Sequence, residues 1–164
     1  MSFALPDGWH LVSPDAHGQP DAAYVAVRST EIRQPVASNI IISGFAAATD
    51  HVDAEAFGST YVANLQARHE VKVLKNDTMG SGPTQEAAQL LEITYPVAGT
   101  ATPLTLKQVL ITSTFPDTND PESTAVLQLL LTCPADEFAH IGPEFQQFVT
   151  TIAPTPSTKP SRTQ

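Results

Sequence analysis

Positive charge is scarce in this chain. Eight lysines and arginines stand against 17 aspartates and glutamates in 164 residues, a formal charge of −9. Lys159 and Arg162 lie near the end, so the first 152 residues carry six basic groups against all 17 acidic ones. A body of that sign repels phosphate backbones and anionic bilayers, which argues against nucleic acid and membrane surfaces as partners. Cysteine is almost absent: Cys133 stands alone, which rules out an intrachain disulfide. No apolar run approaches the roughly 20 residues of a membrane-spanning helix. The start, Met1 to Trp9, has neither a basic cluster nor the apolar stretch of a secretory signal. The chain therefore reads as cytoplasmic. Charged residues make up only 15% of it, so Thr, Ser, Gln, Asn and Ala must cover much of its surface.

What the chain does have is three long strand-like runs, Ala87–Tyr95, Leu104–Phe115 and Thr124–Cys133. Side chains alternate between the two faces of a strand. Leu91, Ile93 and Tyr95 share one parity, Val109, Ile111 and Phe115 another, and Leu127, Leu129 and Leu131 a third. Together they predict one dry face. The opposite parities, Leu90, Glu92 and Thr94, then Leu106, Gln108, Leu110 and Thr112, then Val126, Gln128 and Leu130, predict a mixed face. Polar groups at the middle of such strands must meet one another, water or a partner. Glu92, Gln108 and Gln128, with Leu90, Leu110 and Leu130, are thus the candidate binding residues. A solvent-facing sheet side and a sheet side covered by the first helix are the two other readings of the same pattern.

Shorter strands are predicted at Trp9–Val12, Ala22–Arg28, Asn39–Phe45 and His69–Leu74, with Asn76–Pro83 as a glycine-rich turn. A helix is predicted within Asp50–Arg68, with Asp50 as its cap and Ala54, Phe57, Tyr61 and Leu65 as its apolar stripe. A second helix is predicted within Pro143–Ile152, because Gly142-Pro143 should break any helix entering from Thr132–Glu137. The expected order is β-β-β-α-β-β-β-β-α. It describes an α+β fold, an antiparallel sheet with helices on one or both faces, formed by residues 1–152 as a single domain. Residues 153–164 are rich in Pro, Ser and Thr and have almost nothing to bury, as in a disordered tail.

Chemistry is thinly represented. His51, Asp53 and Glu55 are the densest set of metal-ligand types, but on a helix they diverge, and capping explains the carboxylates. Glu137, His140 and Glu144 would form an acid/base pair on a continuous helix, which Gly142-Pro143 is expected to interrupt. Cys133 ends an apolar strand and reads as a small core residue, with a nucleophile as the sharper alternative. Trp9, Tyr24 and Tyr61 could line a ligand site, though isolated aromatics among apolar neighbours are more often core. No catalytic, cofactor or metal motif is present, so no cofactor and no metal are expected.

Leu5-Pro6-Asp7-Gly8-Trp9, the strand with Tyr24, Val25 and Val27, Asn39-Ile-Ile-Ile-Ser43, Leu129-Leu-Leu-Thr-Cys-Pro134 and Phe145-Gln-Gln-Phe148 carry a family resemblance. The chain resembles the LpqN-like domains of actinobacteria and, more distantly, the PsbP-like and DcrB-like domains, over nearly all of residues 3–152. The resemblance implies an α/β/α sandwich and a non-catalytic binder, such as an accessory protein or a chaperone of secreted effectors. Unlike the LpqN lipoproteins, this sequence shows no lipobox cysteine, which favours a chaperone or adaptor over an envelope role.

Three functions follow as expectations. The first is a secretion-associated chaperone or adaptor that holds a protein segment on the mixed sheet face. The partner would be a secreted effector or toxin, with a homodimer the other arrangement open to the chain. The second is an immunity protein whose acidic surface masks a basic toxin site. The third is an enzyme whose site is assembled from scattered histidines and carboxylates. The composition of the last residues generates a direct test: deleting Pro154–Gln164 should leave the melting temperature unchanged in a thermal denaturation scan, and a clear drop would show that this segment docks.

Overall fold

The computed structural model describes residues 1–29, 36–118 and 120–153. The tail expectation therefore lies outside the described residues. Among those described, seven strands form one antiparallel sheet: β1 (Trp9–Val12), β2 (Tyr24–Arg28), β3 (Asn39–Ala47), β4 (Glu70–Ser81), β5 (Thr84–Tyr95), β6 (Leu104–Pro116) and β7 (Thr124–Pro134). Their spatial order is β1-β2-β3-β7-β6-β5-β4. Two meanders, β1 to β3 and β4 to β7, thus meet where β3 pairs with β7. Helix α1 (Ala54–Gln66) carries the chain from the middle of the sheet to its far edge, and α2 (Phe138–Thr150) follows β7.

The predicted Asn76–Pro83 turn is instead mostly strand. β4 runs on to Ser81, which pairs with Thr84 across a two-residue Gly82-Pro83 turn. Gly82 takes a φ of 64°, a region that L side chains rarely adopt. The polar residues from Lys75 to Ser81 lack a strand's usual apolar signal because this edge of the sheet is solvated on both faces.

The helix limits also differ. Asp53 rather than Asp50 caps α1, its Oδ1 accepting from the Ala56 N–H at 3.0 Å. The buried stripe of α1 is Ala54, Gly58, Val62 and Leu65, with Tyr61 and Phe57 at its margins. Gly58 allows the close approach: a Cβ there would lie 2.7 Å from the side-chain oxygen of Gln89. Helix α2 begins five residues before Pro143 and continues through it. An interior proline costs about 3 kcal/mol. Burial of Ile141, Phe145 and Phe148 contributes about 2 kcal/mol each, which outweighs that cost.

The single dry face does not exist. In the β5–β6 pair Leu91 stands opposite Gln108, and Leu90 opposite Val109. In the β6–β7 pair Val109 faces Leu131 and Ile111 faces Leu129. Directly opposed residues share a face, so Leu91 and Ile93 lie on the side away from Val109, Ile111, Leu127, Leu129 and Leu131. Parity within each strand is as expected, but the register of β5 inverts its contribution.

Two cores result. The larger one packs Ile141, Phe145 and Phe148 of α2 against Ile40, Ile42, Leu129, Leu131 and Cys133, with Trp9 and Ala26. The smaller one packs Val62 and Leu65 of α1 against Leu91 and Ile93 on the opposite face. The helices are offset diagonally, α2 over the half with β3 and β7, α1 over the half with β4, β5 and β6. Phe148→Ala should cost about 3–5 kcal/mol in urea denaturation, and Leu91→Ala about 2–5 kcal/mol. Because the two residues belong to separate cores, their double variant should be additive to within about 0.5 kcal/mol.

Candidate binding surface

The six sequence-predicted residues divide between the two faces. Gln108, Leu110, Gln128 and Leu130 lie on the α1 side, whereas Leu90 and Glu92 lie on the α2 side. They do not form one surface.

On the α1 side most of the polar groups satisfy one another, Gln89 Oε1 being buried beneath Gly58 with no hydrogen-bond partner. Tyr61 donates its hydroxyl to Gln108 Oε1 at 2.9 Å, and Gln108 Nε2 donates to Thr132 Oγ1 at 3.0 Å. Burial pushes the Tyr61 hydroxyl up to about 12, outweighing the hydrogen bond to Gln108 that lowers it. The phenol therefore stays a donor at any physiological pH. Gln128 Nε2 reaches Thr112 Oγ1 at 3.4 Å. Gln85 Oε1 accepts from the Ala54 N–H at the start of α1. Leu110 is buried, while Gln128 and Leu130 are half-buried. An aspartate at position 110 would unfold the protein rather than probe a surface.

The α2 side is different. There α2 covers β3, β7 and the first hairpin, and a trough of about 580 Å3 is left between the helix and β4. Its floor is Ala88, Leu90, Val109 and Ile111, and its helix wall includes Phe138, Pro143 and Val149. The register arranges this floor in rows across β6, β5 and β4. Lys107, Glu92 and Lys72 form the first row, Val109, Leu90 and Lys75 the second, and Ile111, Ala88 and Asp77 the third. The leucine and the carboxylate singled out in β5 thus belong to this trough. Sequence reasoning missed its other members. The available signal was charge: Lys72, Lys75 and Lys107, the three lysines among the described residues, all point to this quadrant. Lys107 Nζ also lies 5.1 Å from the centre of the Phe138 ring, tying the first row to α2.

A second cluster joins α2 to the first hairpin. Glu144 Oε2 accepts from Trp9 Nε1 at 2.7 Å and from Arg28 Nε at 3.1 Å. Glu144 Oε1 lies 3.2 Å from Arg28 Nη2 and 3.1 Å from His140 Nε2. The expectation that Gly142-Pro143 separates His140 from Glu144 is corrected here, because the unbroken helix places them one turn apart. The group works as an anchor, with both carboxylate oxygens occupied by donors from Trp9 and Arg28 and with His140 of α2 beside them. Partial burial raises the Glu144 carboxyl, but the bonds from Trp9 and Arg28 and the charges of Arg28 and His140 outweigh it and hold it below its ordinary value.

The remaining chemistry is inert. Cys133 is fully buried, and burial, with the charge of Glu137, pushes its thiol up to about 12, the opposite of an activated nucleophile. Among the described residues no three of His, Cys, Asp and Glu converge on a metal position, and no helix is long and apolar enough to cross a membrane.

No family model matches the chain, and no curated protein does. Solved structures do. LpqN of Mycobacterium tuberculosis, described as involved in cell envelope biogenesis, aligns with a TM-score of 0.62 at 16% identity, over 93% of this chain and 83% of that one. The cyanobacterial PsbP of Synechocystis sp. PCC 6803 aligns with a TM-score of 0.59 at 11% identity, over 91% of this chain and 83% of that one. PA94 of Pseudomonas aeruginosa aligns with a TM-score of 0.53 at 19% identity, over 93% and 90%. The chain has the PsbP-like, LpqN-like fold, an α+β sandwich around an antiparallel sheet.

The Glu144 anchor has a pH signature. A carboxyl held low in the folded state contributes stability that is full above the ordinary glutamate value of 4.5 and is lost as pH falls through the folded value. Glu144→Gln should cost about 1–2 kcal/mol at neutral pH. Its stability deficit against the parent should shrink as the pH falls below 4.5 in urea titrations. A deficit constant across that range would mean that the charge contributes nothing.

Proposed function

We propose that this protein is a non-catalytic binding protein, an accessory or chaperone that holds an amphipathic helix of a partner protein in the trough between α2 and β4. The observation that carries this reading is the trough itself: an apolar floor of Ala88, Leu90, Val109 and Ile111, open to solvent and edged by Lys72, Lys75 and Lys107.

The dimensions favour a helix. Adjacent strands lie about 4.8 Å apart, so the strip from β6 to β4 is about 10 Å wide. A helix with its side chains is about 10–12 Å across. On the other face, α1 covers these same three strands, so the trough has room for one helix on the mirror-image quadrant. The charges favour an acidic flank on the occupant. Lys72 pairs with Glu92 at 3.9 Å and Lys75 with Asp77 at 2.7 Å, so Lys107, over the Phe138 ring, is the cation placed to meet a carboxylate and set the orientation of an apolar stripe. A basic toxin surface would not be matched here, so the immunity reading draws no support from this site.

A synthetic amphipathic peptide, with leucines along one face and glutamates flanking them, is a sufficient probe. Amide shift perturbations should map to Leu90, Val109, Ile111 and Val149, and Leu90→Asp should weaken binding at least about tenfold while leaving the circular dichroism spectrum unchanged. Shifts confined to the α1 side, or equal affinity in the folded Leu90→Asp variant, would sink the proposal.

A further inference from the structure

The sheet has two edges, β1 and β4. β1 is four residues long, a short edge of the kind that natural sheets use to avoid unwanted pairing. β4 is 12 residues long, contains no proline and, among the described residues, has no strand on its outer side. Every residue from Lys72 to Ser81 is exposed. Three large apolar side chains on it face solvent, Val73 and Leu74 at 46% and Met79 at 64%. A long edge with apolar side chains and a free row of backbone groups is a template for another strand.

We propose that β4 joins two copies of this chain edge to edge, antiparallel, with Asn76 on the two-fold axis. The basis is the strand's charge order, which in that register opposes only unlike charges. With Asn76 opposite the partner's Asn76, Lys75 lies opposite the partner's Asp77, and Asp77 opposite the partner's Lys75. Both are on the trough side of the sheet, since Lys75 pairs with Leu90 and Asp77 with Ala88. A shift of two residues one way sets Lys75 against Lys75, and the other way Asp77 against Asp77. A shift of one residue turns the side chains to opposite faces. Opposed like charges are destabilising and opposed unlike charges stabilising, so one register stands out. Met79, which pairs with Glu86, lies on the trough face and Val73, which pairs with Leu91, on the α1 face, so exposed apolar groups flank the junction on both faces. The bulge between Val73 and Lys75 limits regular pairing to the stretch centred on Asn76.

Lys75 and Asp77 already make a contact of 2.7 Å within one chain. With both side chains more than half exposed, that pair adds little by itself. In the joined sheet four alternating charges would form a partly desolvated network. The two-fold axis stands perpendicular to the sheet, so both troughs open on the same side. This inference does not depend on what the troughs hold.

Sedimentation velocity of the full chain over a concentration series tests it. The parent should show a monomer–dimer equilibrium. Lys75→Glu and Asp77→Lys should each weaken the dimer at least about tenfold, because each turns two attractive pairs into repulsive ones. The double variant Lys75→Asp/Asp77→Lys should restore it. Both sites are on the surface, and unchanged circular dichroism spectra would show that the fold is kept. A monomer at every concentration, a dimer indifferent to the single reversals, or a double variant as weak as the singles would each overturn the proposal.

Discussion

Leu91 lies across from Gln108 in the β5–β6 pair, and most of the molecule's organisation depends on that register. It puts Leu91 and Ile93 on the face of the glutamines and threonines, and leaves Leu90 with Val109 and Ile111 on the face of the leucines of β7. Neither face is then uniformly dry. Each has an apolar half and a half of another character, and each takes one helix over the part that needs it most. The diagonal offset of α1 and α2 is the packing answer to that distribution.

The α1 face shows how a polar interior is kept stable. Tyr61, Gln108 and Thr132 form a chain of hydrogen bonds beneath the helix, and the Gln128 amide reaches Thr112 beside it. An apolar isostere at any one position would leave its neighbour buried and unpaired, so the network specifies the placement of α1 as much as it stabilises it. Gly58 and Gln89 extend the same constraint, since the helix can sit so close only where it carries no Cβ. The α2 face relies on Phe145 and Phe148 for area and on the Glu144 anchor for orientation. That anchor holds the first hairpin, whose β1 is short and lies at the sheet edge, to the helix that seals the larger core.

The uncovered quadrant of the α2 face, where the proposed binding site lies, is an apolar floor beside the sealed core rather than part of it. It is walled by a helix that tolerates an interior proline and bordered by a strand exposed on both faces. The likeness to LpqN and PsbP structures supplies the architecture. The trough, its lysines and the charge order of β4 are properties of this chain's own residues.

The order of strands and helices is legible in the sequence because alternation and helical spacing are local. Trp9–Val12, the three long runs, and the stretch between Asp50 and Arg68 show their state within a few residues. Three things are not legible there. The second half of β4 hides because a strand exposed on both faces carries no apolar pattern, the start of α2 hides because proline argues against a helix that burial of three large side chains then sustains, and the face shared by β5 hides because parity is relative. Leu90 and Glu92 were recognisable as unusual, and so were Gln108, Leu110, Gln128 and Leu130. That the first two edge an open trough while Gln108 and Leu110 lie buried follows only from the register. Local sequence determines which residues of a strand share a side; which side joins which depends on contacts between segments far apart in the chain, and those exist only once the sheet has formed.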